Sequence, residues 1–316
     1  MDVVSLGETM VLFTPEKRGQ MRYSRSFSSQ IAGAETNTLI GLAKLGHQAG
    51  WISRLGNDEF GALVRAAVRG EGVDTGQVII DGEAPTGLLF KERLNEREVR
   101  MYYYRSHSAA SRLQPGDIDE AYIAAAKYLY LTGITPALSP SCRESVFHAV
   151  EVARRHKVTV VFDPNLRRKL WGEEEARSVL KELVRKSDIV LAGISEGEFL
   201  YGTKDCTELA GHLHREGCGT AIIKRGELGA YYSNTLEARY VSSFKVARVV
   251  DPVGAGDGFA AGVLSGQLDG LPLEQSVARG CAVGAAVTMV SGDIEGLPDR
   301  RALASLLSAA AEDVQR

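Results

Sequence analysis

The sequence predicts an α/β fold in which a central, mostly parallel sheet is flanked by helices and carries a small β-sheet lid. Three observations support this. Short runs rich in β-branched residues alternate with helical patterns along most of the 316 residues, which is the rhythm of a parallel sheet with crossover helices. Two stretches, about 11–31 and 78–105, break that rhythm and read as extended structure. No Pro/Gly/Ser-rich linker and no repeat of about 20–50 residues divides the chain. A single domain over 1–316, with a lid built from the two excursions, is the simplest organisation.

Taken in order, Asp2–Leu6 opens the chain as a strand. A helix over Thr38–Leu45 follows, with Leu39, Leu42, Ala43 and Leu45 largely on one face and Gly46 as its stop. Gly50–Ser53 reads as the next strand, and Asn57 or Asp58 caps a helix to about Arg69. Thr86–Arg93 and Glu98–Tyr104, joined by the polar turn Leu94-Asn95-Glu96-Arg97, have the form of a hairpin. Tyr102 to Tyr104 alternate along it, so at least one should pack in a core or a subunit contact. Tyr128–Thr132 is a strand, and Ser139 and Pro140 start a helix to His156. Val158–Phe162, Ile189–Ala192 and Thr220–Lys224 are further strands.

Composition excludes several classes. The chain is 44% hydrophobic and 24% charged with a net charge of -3, and its basic residues are scattered. That leaves no electrostatic footprint for nucleic acid or an anionic membrane. No apolar run approaches the roughly 18 to 20 residues of a membrane span. Met1–Glu8 lacks the pattern of a secretion signal, so the expected compartment is the cytoplasm. Cys142, Cys206, Cys218 and Cys281 show no CxxC or zinc-type spacing, so free thiols are expected.

The densest segment is Val249-Val-Asp-Pro-Val-Gly-Ala-Gly-Asp-Gly-Phe-Ala-Ala-Gly-Val263. A strand is expected to end near Val250, followed by a small-residue loop and a helix from about Gly256. Gly254, Ala255 and Gly256 leave backbone amides open to an anion, which a helix N-terminus favours. Asp257 follows, where a carboxylate can take the proton of an attacking hydroxyl. A Gly-rich turn closed by Asp is also an ordinary helix cap, so the loop by itself leaves both readings open.

The whole string D-P-V-G-A-G-D followed by x-x-x-A-G resembles the C-terminal signature of the ribokinase-like (PfkB) carbohydrate kinases, and the resemblance runs from about Val3 to Pro298. It implies the ribokinase-like form of the α/β fold and the use of ATP and Mg2+. It also implies that Asp257 is the catalytic base, with Gly254, Ala255 and Gly256 as an anion hole that holds the transferring phosphate. Lys224-Arg-Gly-Glu-Leu-Gly-Ala-Tyr231 resembles the family's K-x-G-x-x-G nucleotide turn, which assigns Lys224, Gly226 and Gly229 to ATP. A plain turn between strands has the same look. Ser195-Glu-Gly-Glu198 stands in place of the family's N-x-x-E, with serine for asparagine. It implies an ATP contact for Ser195 and magnesium binding through water for Glu198, although a Ser-capped acidic helix start explains the same residues. Asn165 is assigned to the nucleotide phosphates.

Ile31-Ala-Gly-Ala-Glu-Thr-Asn37 resembles the family's sugar-binding G-G-x-x-x-N, with Ala32 for the first glycine. Arg105 and Arg167 follow strands that should face one cleft, and arginine suits bidentate carboxylate recognition. The G-A-E-x-N segment, Y-Y-R before a Ser-Ala run, and D-x-N-x-R-x-x-L-W together resemble the 2-keto-3-deoxygluconate kinases of the family. By that resemblance Gly33, Ala34, Asn37, Tyr103, Arg105, Arg167 and Asp293 contact a sugar acid beside Asp257. The reaction implied is transfer of the ATP γ-phosphoryl group to its 6-hydroxyl. Leu89 stands where acid-specific relatives often carry an aromatic. D-P-N-L-R also occurs in related fructokinases, so a neutral-sugar kinase is the alternative, and a non-catalytic sugar- or nucleotide-binding protein a remoter one. A nicotinamide-dependent oxidoreductase is excluded, because no G-x-G-x-x-G follows the first strand. An aromatic lid with an exposed edge makes a homodimer through the lid the expected assembly.

Overall fold

The computed structural model describes residues 1–95, 98–244, 246 and 248–314. Among them the chain forms thirteen strands and ten α-helices. The first part runs β1 (Val3–Leu6), β2 (Met10–Pro15), β3 (Phe27–Ala32), α1 (Ala34–Lys44), β4 (Ala49–Gly56), α2 (Glu59–Gly70), β5 (Asp74–Asp81), β6 (Leu88–Arg93) and β7 (Val99–Tyr104). The middle runs α3 (Glu120–Ala124), β8 (Tyr128–Thr132), α4 (Pro140–Arg155), β9 (Thr159–Asp163), α5 (Glu173–Arg185), β10 (Ile189–Gly193), α6 (Ile194–Tyr201) and α7 (Cys206–Arg215). The last part is β11 (Thr220–Lys224), β12 (Ala230–Ser233), β13 (Ala238–Val241), α8 (Ala255–Leu268), α9 (Leu273–Val287) and α10 (Arg300–Val314).

The main sheet has the order β13-β12-β11-β10-β9-β8-β1-β4-β5. Pairing is parallel from β11 through β5, and β12 and β13 extend it antiparallel. Helices bury both faces, which is why β1, β8 and β9 are almost wholly apolar. On one face Val146 of α4, Leu180 of α5 and Leu209 of α7 pack on Leu129, Val160 and Val190. On the other, Leu39 of α1, Val64 of α2, Phe259 of α8 and Val283 of α9 pack on Val3, Trp51 and Val161. Each such side chain, fully buried, contributes about 1.5–3 kcal/mol.

Helices α8 and α9 meet along a seam of glycines. A Cβ at Gly262 would lie 2.7 Å from the Arg279 carbonyl, one at Gly266 2.6 Å from Cα of Ser276, and one at Gly284 2.9 Å from the Ala255 carbonyl. Backbone packs on backbone there, with no side-chain layer to yield.

The second sheet is the lid, in the order β3-β2-β6-β7. Its inner core is Met10, Leu12, Ala32 and Leu89, with Met101 against them. Its other face carries aromatics. Phe13 stacks on Phe90 at 5.3 Å and meets Phe60 of α2 at 5.8 Å, while Phe27 and Tyr104 pack edge-on against Phe90.

The strands and helices expected from the sequence are present, with four differences. The lid begins later than expected. Val78–Asp81 belongs to β5, whose Val78 pairs with Ser53 at the far edge of the main sheet. Residues between β2 and β3 form a loop with a short 3-10 turn at Met21–Tyr23, where an extended stretch was expected. Among the described residues no strand ends near Val250. Its amide and that of Asp251 both reach the carbonyl of Thr288, at 2.7 and 3.2 Å. All three of Tyr102, Tyr103 and Tyr104 are exposed on β7, one of the two edge strands of the lid. The hairpin is present as β6 and β7, but Glu96 and Arg97 of its expected turn lie outside the described residues.

Candidate active site

Open parallel sheets bind ligands at the carboxyl ends of their strands, where the connections diverge. Here β1, β8, β9, β10 and β11 end at Leu6, Thr132, Asp163, Gly193 and Lys224, and the loop before α8 lies over them. Gly254 caps α8 in a left-handed conformation (φ 78°), and a Cβ there would stand 2.7 Å from the Asp293 carbonyl. Only glycine fits both demands. The first amides of a helix lack intrahelical acceptors, so Gly256 and Asp257 present donors at the positive end of the α8 dipole, while the Ala255 amide reaches back to the Pro252 carbonyl at 3.4 Å.

Asp257 is buried in the first turn of α8. Its Oδ2 accepts from Nδ2 of Asn37 at 2.8 Å, and its carbonyl accepts from the Thr38 hydroxyl at 3.2 Å. This ties α1 to the N-terminal turn of α8. Burial pushes the Asp257 carboxyl up to about 8, with the charges of Asp163 and Asp293 adding to the rise; the Asn37 hydrogen bond and the Arg167 charge pull it down. A carboxylate near neutrality is matched to taking a proton and giving it up again.

A second cluster stands beside the α8 N-terminus. The Lys224 ammonium pairs with Oδ2 of Asp163 at 2.5 Å and lies 3.8 Å from where a Cβ of Gly256 would be. Burial would lower the Lys224 amine, but Asp163 and Glu196 hold it above its ordinary range. Burial pushes Asp163 up to about 6, and Lys224 draws it back. Asn165, at φ 33°, donates its amide to Oδ1 of Asp163. Gly226 starts a one-turn 3-10 helix, and Gly229 (φ 91°) would drive a Cβ to 2.1 Å from the Val241 carbonyl. The K-x-G-x-x-G segment is therefore both a tight turn between β11 and β12 and the holder of a cation beside the first amides of α8.

The sugar-side residues converge from the other direction. Gly33 is the N-cap of α1, with the Glu8 carbonyl and the Thr9 and Thr36 hydroxyls against it. Ala34 opens the helix, and Asn37 keeps its Oδ1 without a hydrogen-bond partner in the buried site. Asp293 is likewise buried with Oδ1 unpartnered. Burial raises it to about 6, with Lys91 and Asn37 opposing the rise. Arg167 is exposed on the loop after β9 and acts on Asp257 through its charge. Tyr103 stands on the inner face of the lid, with the Arg105 guanidinium 5.8 Å from its ring.

Arg105 differs from the expectation of an arginine open to a substrate carboxylate. Its Nε donates to Oε2 of the buried Glu8 at 2.6 Å, Nη2 reaches the same oxygen, and Ser108 donates to Oε1. Next to this pair Glu35 is fully buried and accepts from the hydroxyls of Thr132 and Thr135, each at 2.7 Å. Burial raises its carboxyl, against those two hydroxyls and the Arg105 charge.

Two expected nucleotide-side residues are not brought to the cluster. Glu198 is exposed and pairs with Lys204 at 3.2 Å, and Ser195 is exposed on α6. Glu196, which sequence reasoning passed over, is the acidic residue of α6 that faces Asp163 and Lys224. It also accepts from the Gly193 and Leu166 amides at 2.6 and 3.1 Å. Its signal was a capping-box spacing from Gly193. Among the described residues no three His, Cys, Asp or Glu side chains converge as a metal cage.

A lysine-backed helix N-terminus beside a buried Asp can hold an anion next to a proton acceptor, which is the arrangement that phosphoryl transfer needs. The pfkB family carbohydrate kinase model matches residues 1–300, and this chain belongs to that family. It is 40% identical over 311 residues to a 2-dehydro-3-deoxygluconokinase of Bacillus subtilis, covering 98% of this chain and 96% of the relative. It is 34% identical over 294 residues to a 5-dehydro-2-deoxygluconokinase of Bacillus velezensis, covering 90% and 88%. The solved structure of 2-dehydro-3-deoxygluconokinase from Thermotoga maritima superposes with a TM-score of 0.90 at 25% identity over 98% of each chain.

Proposed function

We propose that the chain transfers the γ-phosphoryl group of ATP to the 6-hydroxyl of 2-keto-3-deoxygluconate. The observation that carries this reading is Asp257, a buried carboxyl poised near neutral pH at the first turn of a helix whose amides face the same cleft. Asp257 takes the hydroxyl proton as the new O–P bond forms and the bond to the β-phosphate oxygen breaks. The first amides of α8 and the Lys224 ammonium hold the phosphoryl oxygens. Magnesium, when bound, would neutralise phosphate charge, and the site would suit it without a protein cage, since this ion keeps waters and leans on phosphates and one or two carboxylates. Asp163 and Glu196, beside Lys224, would receive its waters; Glu198, paired with Lys204, would not. The lid excludes water from the reacting groups.

Arg167, exposed on the loop after β9, supports an acidic sugar, and the 40% identical relative bears the matching name; Arg105, already paired with Glu8, does not add to that support. The 5-dehydro-2-deoxygluconokinase relatives supply the second reading, an isomeric keto-deoxy acid. Four free buried cysteines suit a reducing cytoplasm. The outer lid aromatics and the free β7 edge support a homodimer formed lid to lid.

The deciding experiment measures ADP release with ATP and magnesium across 2-keto-3-deoxygluconate, 5-keto-2-deoxygluconate and fructose. We expect kcat/KM for the first to exceed the other two by at least about tenfold, a difference of about 1.4 kcal/mol in transition-state binding. A preference for fructose overturns the sugar-acid reading, and a preference for the isomer transfers it.

A further inference from the structure

Lys91 is 4% exposed and lies on β6 with the same inward parity as Leu89. A lysine at such a position costs desolvation unless it is paired. Its partner is remote in sequence. The Lys91 ammonium meets Oδ2 of Asp251, itself 5% exposed, at the start of the loop that leads to Gly254. The other oxygen, Oδ1, accepts from the Val253 amide at 3.2 Å and closes the local turn that carries the chain toward α8. One carboxylate thus receives the lid on one oxygen and shapes the approach to the phosphate-facing amides with the other.

Neighbouring contacts act in the same direction. Arg93, two residues along β6, lies 3.6 Å from the same Asp251 oxygen and donates to the Ser291 hydroxyl at 2.5 Å. Gln30 of β3 donates to Glu295 at 2.7 Å. Ser291 and Glu295 flank Asp293, whose carbonyl is the surface against which Gly254 packs. The lid is therefore fastened to both walls of the anion-binding loop, and Lys91 is the buried fastening.

We propose that Lys91 is a positioning residue through which the seated lid fixes the Asp251–Gly256 loop in the geometry that receives the transferring phosphate. With the lid away, Asp251 loses its cation and the turn loses its anchor. The amides then align only when the lid is down, which links phosphoryl transfer to sugar enclosure. This rests on the kinase reading above, so wild-type turnover with the sugar acid is measured first.

The test compares steady-state constants for Lys91→Met, Lys91→Arg and the charge-neutral pair Lys91→Met with Asp251→Asn. Loss of one aimed donor in an anion hole costs about 100- to 1,000-fold in kcat, and a misaligned loop should cost about 10- to 100-fold. We expect that loss in Lys91→Met and in the paired variant, with KM for ATP and sugar within about threefold of wild type and partial rescue by Lys91→Arg. If Lys91→Met does not fold, the other two variants carry the test. Near-wild-type kcat in Lys91→Met or in the paired variant overturns the proposal, because the ion pair then serves stability alone. A raised sugar KM with kcat retained overturns it too, because Lys91 is then a ligand contact. Absence of wild-type turnover fails the kinase reading instead.

Discussion

Asn37 donates from Nδ2 to Oδ2 of Asp257 at 2.8 Å while its own Oδ1 has no partner. The amide favours the ionised carboxylate and keeps an acceptor for a sugar hydroxyl. Asn37→Ala should therefore raise the Asp257 pKa further. A hydrogen bond to a charged group is worth about 1.5–3 kcal/mol, so the acid limb of kcat/KM should move up by about one pH unit. A pH–rate profile from pH 6 to 10 measures it, and an unmoved limb means that Asn37 does not tune the base.

Asp257→Asn should lower kcat by about 100- to 10,000-fold, the usual worth of a positioned base, while equilibrium sugar binding by calorimetry changes little. Near-normal turnover would remove Asp257 from the mechanism.

The same carboxyl carries a stability cost with a definite sign. Its folded pKa is raised from 3.8 to about 8, so the folded state binds more protons between those values. Stability is then lost as pH rises through that window. Asp257→Asn should melt above wild type at pH 8.5, by about 4 °C or more, with the gap closing toward pH 4. Parallel melting curves at both pH values would refute the assignment.

Arg167 approaches the cleft from the loop after β9 and, among the described residues, has no ion-paired carboxylate of the kind Glu8 gives Arg105. Arg167→Met should raise KM for a sugar acid by about 10- to 100-fold and leave KM for a neutral sugar nearly unchanged. Equal effects on both would assign Arg167 to Asp257 alone.

Phe27, Phe60 and Tyr104 are 37%, 37% and 64% exposed around the Phe13–Phe90 stack. If two lids pair there, Phe27→Asp should convert a dimer to a monomer in light scattering coupled to size exclusion. A wild-type protein that elutes as a monomer would refute the pairing.

The layout of this candidate site was legible where it is local. The Asp251–Asp257 string contains the loop, the glycine cap and the buried carboxylate in seven successive residues. The parallel strands were legible from their apolar runs. What escaped depends on distant partners or on facing. Glu8 and Arg105 are 97 residues apart, and nothing near either announces the other. Lys91 stands between Leu89 and Arg93 in a strand whose inward face is set only by its pairing with β2 and β7. Glu196 and Glu198 share a helix turn, and their roles separate only when α6 is seated after β10. Val78–Asp81 read as lid because a β-branched run does not say which sheet it joins.

The glycine seam between α8 and α9 divides what this architecture can vary from what it cannot. The helix bearing Asp257 rests on another backbone, so substitutions along that contact displace the Asp257 carboxyl itself. The lid meets the site through replaceable side chains such as Leu89, Met101 and Tyr103. Drift toward a new sugar is therefore channelled into the roof, while the phosphate floor stays fixed. Libraries meant to change specificity belong in β2, β6 and β7, sparing Lys91, and should leave Gly262, Gly266 and Gly284 alone.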